Sequence, residues 1–128
     1  MPPTAAARGG VQPVVSLTVN GADRADVTVG EAVELVGAVE VPPAAGVVVS
    51  AEWDYDGSGV YPDVEDVTEA RTAQRLTRTH TFDAPGTWFV TLRAASQRED
   101  AAGSPFGRAE NLARVRVVVT RPSAMRGG

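Results

Sequence analysis

The sequence predicts an all-β domain, a β-sandwich of two antiparallel sheets with about seven strands. Three observations carry this. Short Val- and Thr-rich runs alternate apolar and polar residues with period two. Clusters of Gly, Pro, Asn and Asp separate those runs at the spacing of turns. A chain of 128 residues with 21 Val and no Cys has the length of one domain with a core, and no disulfide framework, thiolate metal site or cysteine nucleophile. Strands that each carry one apolar face bury it together when two sheets stack.

The first run, Val14–Val19, sets Val15, Leu17 and Val19 on one face, and Asn20-Gly21 then supply a turn. In 32–41, Val33, Leu35 and Val39 oppose Glu34 and Glu40. Gly37 falls on the apolar parity, which marks a bulge or the close approach of another backbone. Over 47–56, Val47, Val49, Ala51, Trp53 and Tyr55 share a face opposite Ser50, Glu52, Asp54 and Asp56. Residues 57–75 read as a loop with one edge strand, although Val64, Val67, Ala70 and Ala73 also recur as in a short helix.

Alternation returns from Leu76 to Phe82, and Asp83-Ala84-Pro85-Gly86 turn the chain. Trp88, Val90, Leu92 and Ala94 then face inward, a polar loop covers 97–110, and 112–120 forms the last strand. There Val115, Val117 and Val119 point in while Arg114 and Arg116 point out. The domain therefore spans 14–120. Residues 1–13 and 121–128 read as linker or tail, and Met1-Pro2-Pro3-Thr4 as the cut end of a larger protein without a signal segment.

The net charge of −4 hides an asymmetry. Residues 1–70 hold two Arg against twelve acids, and residues 71–128 hold ten Arg against four. One reading makes the Arg-rich half a polyanion surface. The favoured one has the two halves neutralise each other across the fold, with Glu52 and Asp54 presented to Arg93, Arg114 and Arg116. Overall acidity and the lack of interleaved basic and aromatic residues argue against a nucleic-acid partner. No apolar run of membrane-spanning length exists, so no membrane insertion is expected.

Two motifs carry a family likeness. Glu52-Trp53-Asp54-Tyr55-Asp56-Gly57-Ser58-Gly59 resembles the tryptophan-aspartate-glycine motif of PKD (polycystic kidney disease) domains. Further on, Thr79-His80-Thr81-Phe82-Asp83-Ala84-Pro85-Gly86-Thr87-Trp88-Phe89-Val90-Thr91-Leu92 resembles that family's second signature. Phe82 and Trp88 stand where Tyr is usual, and Arg78 stands where an apolar residue is common. The resemblance implies an immunoglobulin-like sandwich without catalytic activity. It implies an accessory module of a secreted, surface-anchored or periplasmic bacterial protein, which spaces domains or contacts a neighbouring domain, another extracellular protein or a polysaccharide.

Asp54, Asp56, Ser58, Gly59 and Glu65 also match the spacing of a twelve-residue calcium loop, with the Val60 carbonyl at the seventh position. The competing and favoured reading is a turn, in which Asp54 and Asp56 cap a strand end and Gly57 and Gly59 supply positive φ. A calcium ion is the one cofactor the sequence offers a place for, and the turn reading requires none. His80 lacks a marked nucleophile and reads as a partly buried strand residue, and the acid pairs Asp54/Asp56 and Glu65/Asp66 read as solvated rather than glycosidic. Trp53 and Trp88 face the core by parity, which leaves Phe89 and Tyr61 as the surface-contact aromatics.

Overall fold

The computed structural model describes residues 12–43, 46–67, 71–98 and 108–121. The strands are β1 (Val14–Val19), β2 (Arg24–Thr28), β3 (Ala32–Glu40), β4 (Val47–Asp54), β5 (Asp63–Val64), β6 (Ala73–Thr81), β7 (Gly86–Gln97) and β8 (Arg108–Thr120). One sheet has the order β1-β3-β6 and the other β2-β8-β7-β4-β5. The linker and tail expected at 1–13 and 121–128 lie mostly outside the described residues. Pro13, at the edge of that expectation, is buried, and its carbonyl accepts a hydrogen bond from Asn111 Nδ2 at 3.1 Å.

The five-stranded sheet is not wholly antiparallel, because β2 runs parallel to β8. The chain leaves the first sheet at the Asn20-Gly21 turn, where both residues adopt positive φ (50° and 85°). Asn20 closes that corner twice, donating its N–H to the Glu34 carbonyl and accepting the Glu34 N–H on Oδ1. The chain then resumes as β2, the strand that raises the total to eight. Its two inward residues, Ala25 and Val27, are too few to announce a strand by periodicity.

The core lies between the sheets. Leu17, Val19, Val33, Leu35, Val39 and Leu76 come from the first sheet, and Trp53, Val90, Leu92, Val115, Val117 and Val119 from the second. Gly37 marks a close approach, but of side chains rather than backbone. A Cβ there would sit 2.3 Å from Leu92 Cδ2 and 3.5 Å from Trp53 Cη2, and the β1–β3 register passes through it unbroken. Glycine at this position lets the two sheets close over the indole.

Strand β4 departs from the expected parity. Its register against β7 shifts between Val48 and Ser50, so Val48 is buried while Val47 and Val49 are only partly covered. One extra residue resets the pleat, and Ala51 and Trp53 point inward as anticipated. In the 57–75 stretch the edge strand is β5, no helix forms among the described residues, and pairing resumes at Ala73. The expected loop over 97–110 is shorter at its far end. β8 begins at Arg108, which pairs with Gln97, and the β7–β8 ladder runs without a break to Gly86 and Val119.

Candidate functional site

Asp54 ends β4 and is buried, and both its carboxylate oxygens accept hydrogen bonds. Oδ1 accepts the N–H groups of Asp56 and Gly57 at 3.1 and 2.9 Å, and Oδ2 accepts that of Gly59 at 2.7 Å. Asp56 Oδ1 accepts the Ser58 N–H at 3.0 Å. The Asp56 carboxyl is held below its ordinary range, chiefly by the Ser58 side chain. Gly57 and Gly59 take the positive φ (76° and 89°) that this winding needs.

Glu65 is engaged elsewhere: its Oε1 lies 2.7 Å from Arg78 Nη2 and 3.5 Å from the Trp53 indole nitrogen. Asp54 and Asp56 are neighbours in this loop, and Glu65 is not brought to them. Among the described residues no three His, Asp or Glu side chains converge as a metal-binding group.

The second arrangement closes one open edge of the sandwich, where β5 and β6 face each other from different sheets. Arg78 on β6 donates Nε to Asp63 Oδ2 at 2.8 Å and Nη2 to Asp63 Oδ1 at 3.3 Å. Its guanidinium also lies 5.6 Å from the Trp53 ring centroid. Tyr55 donates its hydroxyl to the same Asp63. Arg78 holds the Asp63 carboxyl below the ordinary carboxylate range, more strongly than partial burial raises it. Burial, together with the bond to Asp63, pushes the Tyr55 phenol above its ordinary value. An apolar residue at position 78 would leave both carboxylates without a cation.

A run of rings continues along this edge. Trp53 stacks on Tyr55 with centroids 6.2 Å apart, and Tyr55 on His80 at 4.3 Å. His80 meets Phe82 edge-on at 4.6 Å, and Phe82 stacks on Trp88 at 5.8 Å. Burial holds the His80 imidazole below its ordinary pKa, against the opposing pull of Asp83 and Asp56. Trp53 is fully buried, as parity predicted. Trp88 is only half-buried, because it sits at the end of the run and lines a cleft of about 390 Å³ with Tyr55, Asp56, Val60, His80 and Asp83.

The third arrangement is the outer face of the five-stranded sheet. Arg93 pairs with Glu52 across β7 and β4 at 3.2 Å, as the charge asymmetry suggested. The same guanidinium lies 3.9 Å from the ring of Tyr61, which is half-covered rather than free at the surface. Asp54 does not serve Arg114 or Arg116, since it is turned into its own loop. The two arginines are exposed and make no ion pair among the described residues. They flank Phe89 instead, with guanidinium carbons 5.8 and 5.9 Å from its ring centroid. Phe89 is 37% exposed and Leu112, further along β8, is 46% exposed. Asp23 lies beside the cluster but forms no ion pair with either arginine, which only the side-chain geometry shows.

No protein-family model matches this sequence, and no curated protein does. Among solved structures it is similar to the CARDB domain of a Pyrococcus furiosus protein, whose crystal structure is in complex with di-metal ions. The match has 17% identity and a TM-score of 0.54, and it covers 88% of this chain and 97% of that one. The fold is immunoglobulin-like. At that identity the likeness concerns architecture alone, and the sites of this immunoglobulin-like chain rest on its own residues.

Proposed function

We propose that this chain is a non-catalytic, PKD-like accessory module of a secreted or surface bacterial protein, and that it docks an acidic surface on a neighbouring domain. The observation that carries the reading is the Arg114–Phe89–Arg116 cluster, two guanidinium groups with no ion pair among the described residues, set around an exposed ring on a sheet. Arginine and aromatic residues are the side chains that most often anchor interfaces, because they bury much area and desolvate at modest cost. The sheet fixes their backbone, so binding has to order only the side chains. The two sequence motifs support the PKD-like assignment.

The test is titration of the adjacent domain of the parent protein, supplied in trans, with oligogalacturonate as an anionic polysaccharide probe in parallel. The expected result is salt-sensitive binding of the domain, weakened about tenfold or more by Arg114→Ala or Phe89→Ala. Binding that ignores both substitutions, or none at all, overturns the reading, and binding of the oligosaccharide alone replaces the partner by a polysaccharide.

A calcium-conditioned module is the second reading, resting on the spacing of Asp54, Asp56, Ser58 and Glu65. Saturating calcium would then add about 2.7 kcal/mol at a hundredfold excess over Kd. Because the Asp54 oxygens already accept three N–H groups and Glu65 is paired with Arg78, the expected outcome is an unchanged melting temperature in calcium and in chelator. A rise of several degrees, lost in Asp56→Ala, would favour calcium over the turn.

A further inference from the structure

The cleft beside Trp88 has a composition that the docking face does not explain. Its walls are rings and aliphatic groups, and the ionised groups lining it are Asp56 and Asp83, both acidic and both exposed. His80 lies near both, and burial favours its neutral form, so no cation among the described residues lining the cleft offsets the two carboxylates. Trp88 is fixed from two sides. Its ring stacks on buried Phe82, and its indole N–H donates to the Ala84 carbonyl at 3.2 Å. Val60, 65% exposed, forms part of the apolar wall on the loop side.

We infer that this cleft receives an arginine side chain from a peptide segment of a partner protein. A guanidinium is planar and weakly hydrated and stacks on aromatic faces, while its aliphatic stem covers apolar surface. The cleft supplies both halves of that chemistry, rings and aliphatic groups for the stem and carboxylates at Asp56 and Asp83 for the head. A metal ion finds too few converging oxygens here and too much hydrocarbon. A volume of about 390 Å³ falls within the range of small-ligand pockets and exceeds what one side chain fills, which leaves room for the flanking backbone. The site is independent of the outer-face cluster, because it draws on the opposite sign of charge.

The experiment is an NMR titration of the full chain with the peptide acetyl-Gly-Arg-Gly-amide, following the Trp88 indole N–H and the His80 ring protons. The control peptide replaces arginine by citrulline, which has nearly the same shape and no charge. Expected are saturable shifts at Trp88 and His80 with the arginine peptide, at least tenfold weaker binding of the citrulline peptide, and weaker binding at high salt. Asp83→Asn and Asp56→Asn keep hydrogen-bonding capacity and should each weaken binding about fivefold, while Arg114→Ala leaves it unchanged. That last variant separates a failure here from a failure of the docking face. Equal binding of both peptides overturns the inference, as does the absence of shifts at millimolar arginine peptide in a folded protein. A lysine peptide that binds as well as arginine overturns the choice of a guanidinium.

Discussion

Arg78 and the pair Arg114/Arg116 belong to the same Arg-rich half of the chain and meet opposite circumstances. Arg78 stands at the seam between the two sheets, bonded to Asp63 and Glu65 and lying over the Trp53 ring. Arg114 and Arg116 stand on an outer face where no acid among the described residues pairs with them: Asp54 is turned into a loop, and Asp23, beside them, forms no ion pair with either. A positive charge is structural when the fold brings a carboxylate to it, and it stays exposed when no carboxylate reaches it. Charge counts along a sequence cannot distinguish the two cases, because the distinction is made by where the acidic side chains point.

The comparison breaks most severely at its floor. Trp53→Ala removes the indole beneath Arg78 and opens a cavity against Gly37 and Leu92, at an expected cost of about 3–5 kcal/mol. Chemical denaturation should show the midpoint collapse without a change of fold in the residual native state. A smaller effect follows from Arg78→Met, which keeps the stem and deletes the charge, leaving Asp63 and Glu65 facing each other. The side chains are 18–32% exposed, so roughly 1–3 kcal/mol is expected, less than for a fully buried pair.

Acid sharpens the same point. The Asp63 carboxyl is held below its unfolded value, so the stability it contributes is fully present above the unfolded pKa of about 3.9 and is lost as pH falls through the lower, folded value. The stability advantage of the native protein over Arg78→Met, followed by thermal melting, should therefore be constant near neutrality and shrink below about pH 4. An advantage that persists at pH 2 would place the effect in packing rather than in the ion pair. Smallest of all, Arg114→Ala and Arg116→Ala should each change stability by less than about 0.5 kcal/mol, since neither group has an acidic partner among the described residues to lose. A loss above 1 kcal/mol would make these residues structural and remove the main support for a docking face.

Much of this fold was legible in the sequence because its signals are local. Period-two alternation located Leu35, Trp53, Leu92 and Val117 in the core, and Asn20-Gly21 located a corner. The signals that failed were those that act at a distance or through a single residue. The extra residue near Val49 shifts the pleat without any compositional mark, and β2 owes its existence to the edge that β8 offers rather than to Ala25 and Val27 alone. Trp88 shares its strand's inward parity but lies where the sandwich ends, and parity is blind to ends. In the 54–59 loop the residue types admit both a cation and the favoured turn. The direction of three backbone N–H groups toward one carboxylate supports the turn.

The parallel pairing of β2 with β8 also bears on mechanics. Pro13 is tied to Asn111 near the start of β8, while Thr28 pairs with Thr120 at its end. The described fold is thus entered and left at opposite ends, separated by roughly 30 Å of strand. A pull on those two points drags the first strands and β8 past each other along their length. The ladder from Arg24 to Thr28 then resists as a block loaded in shear instead of peeling open one hydrogen bond at a time.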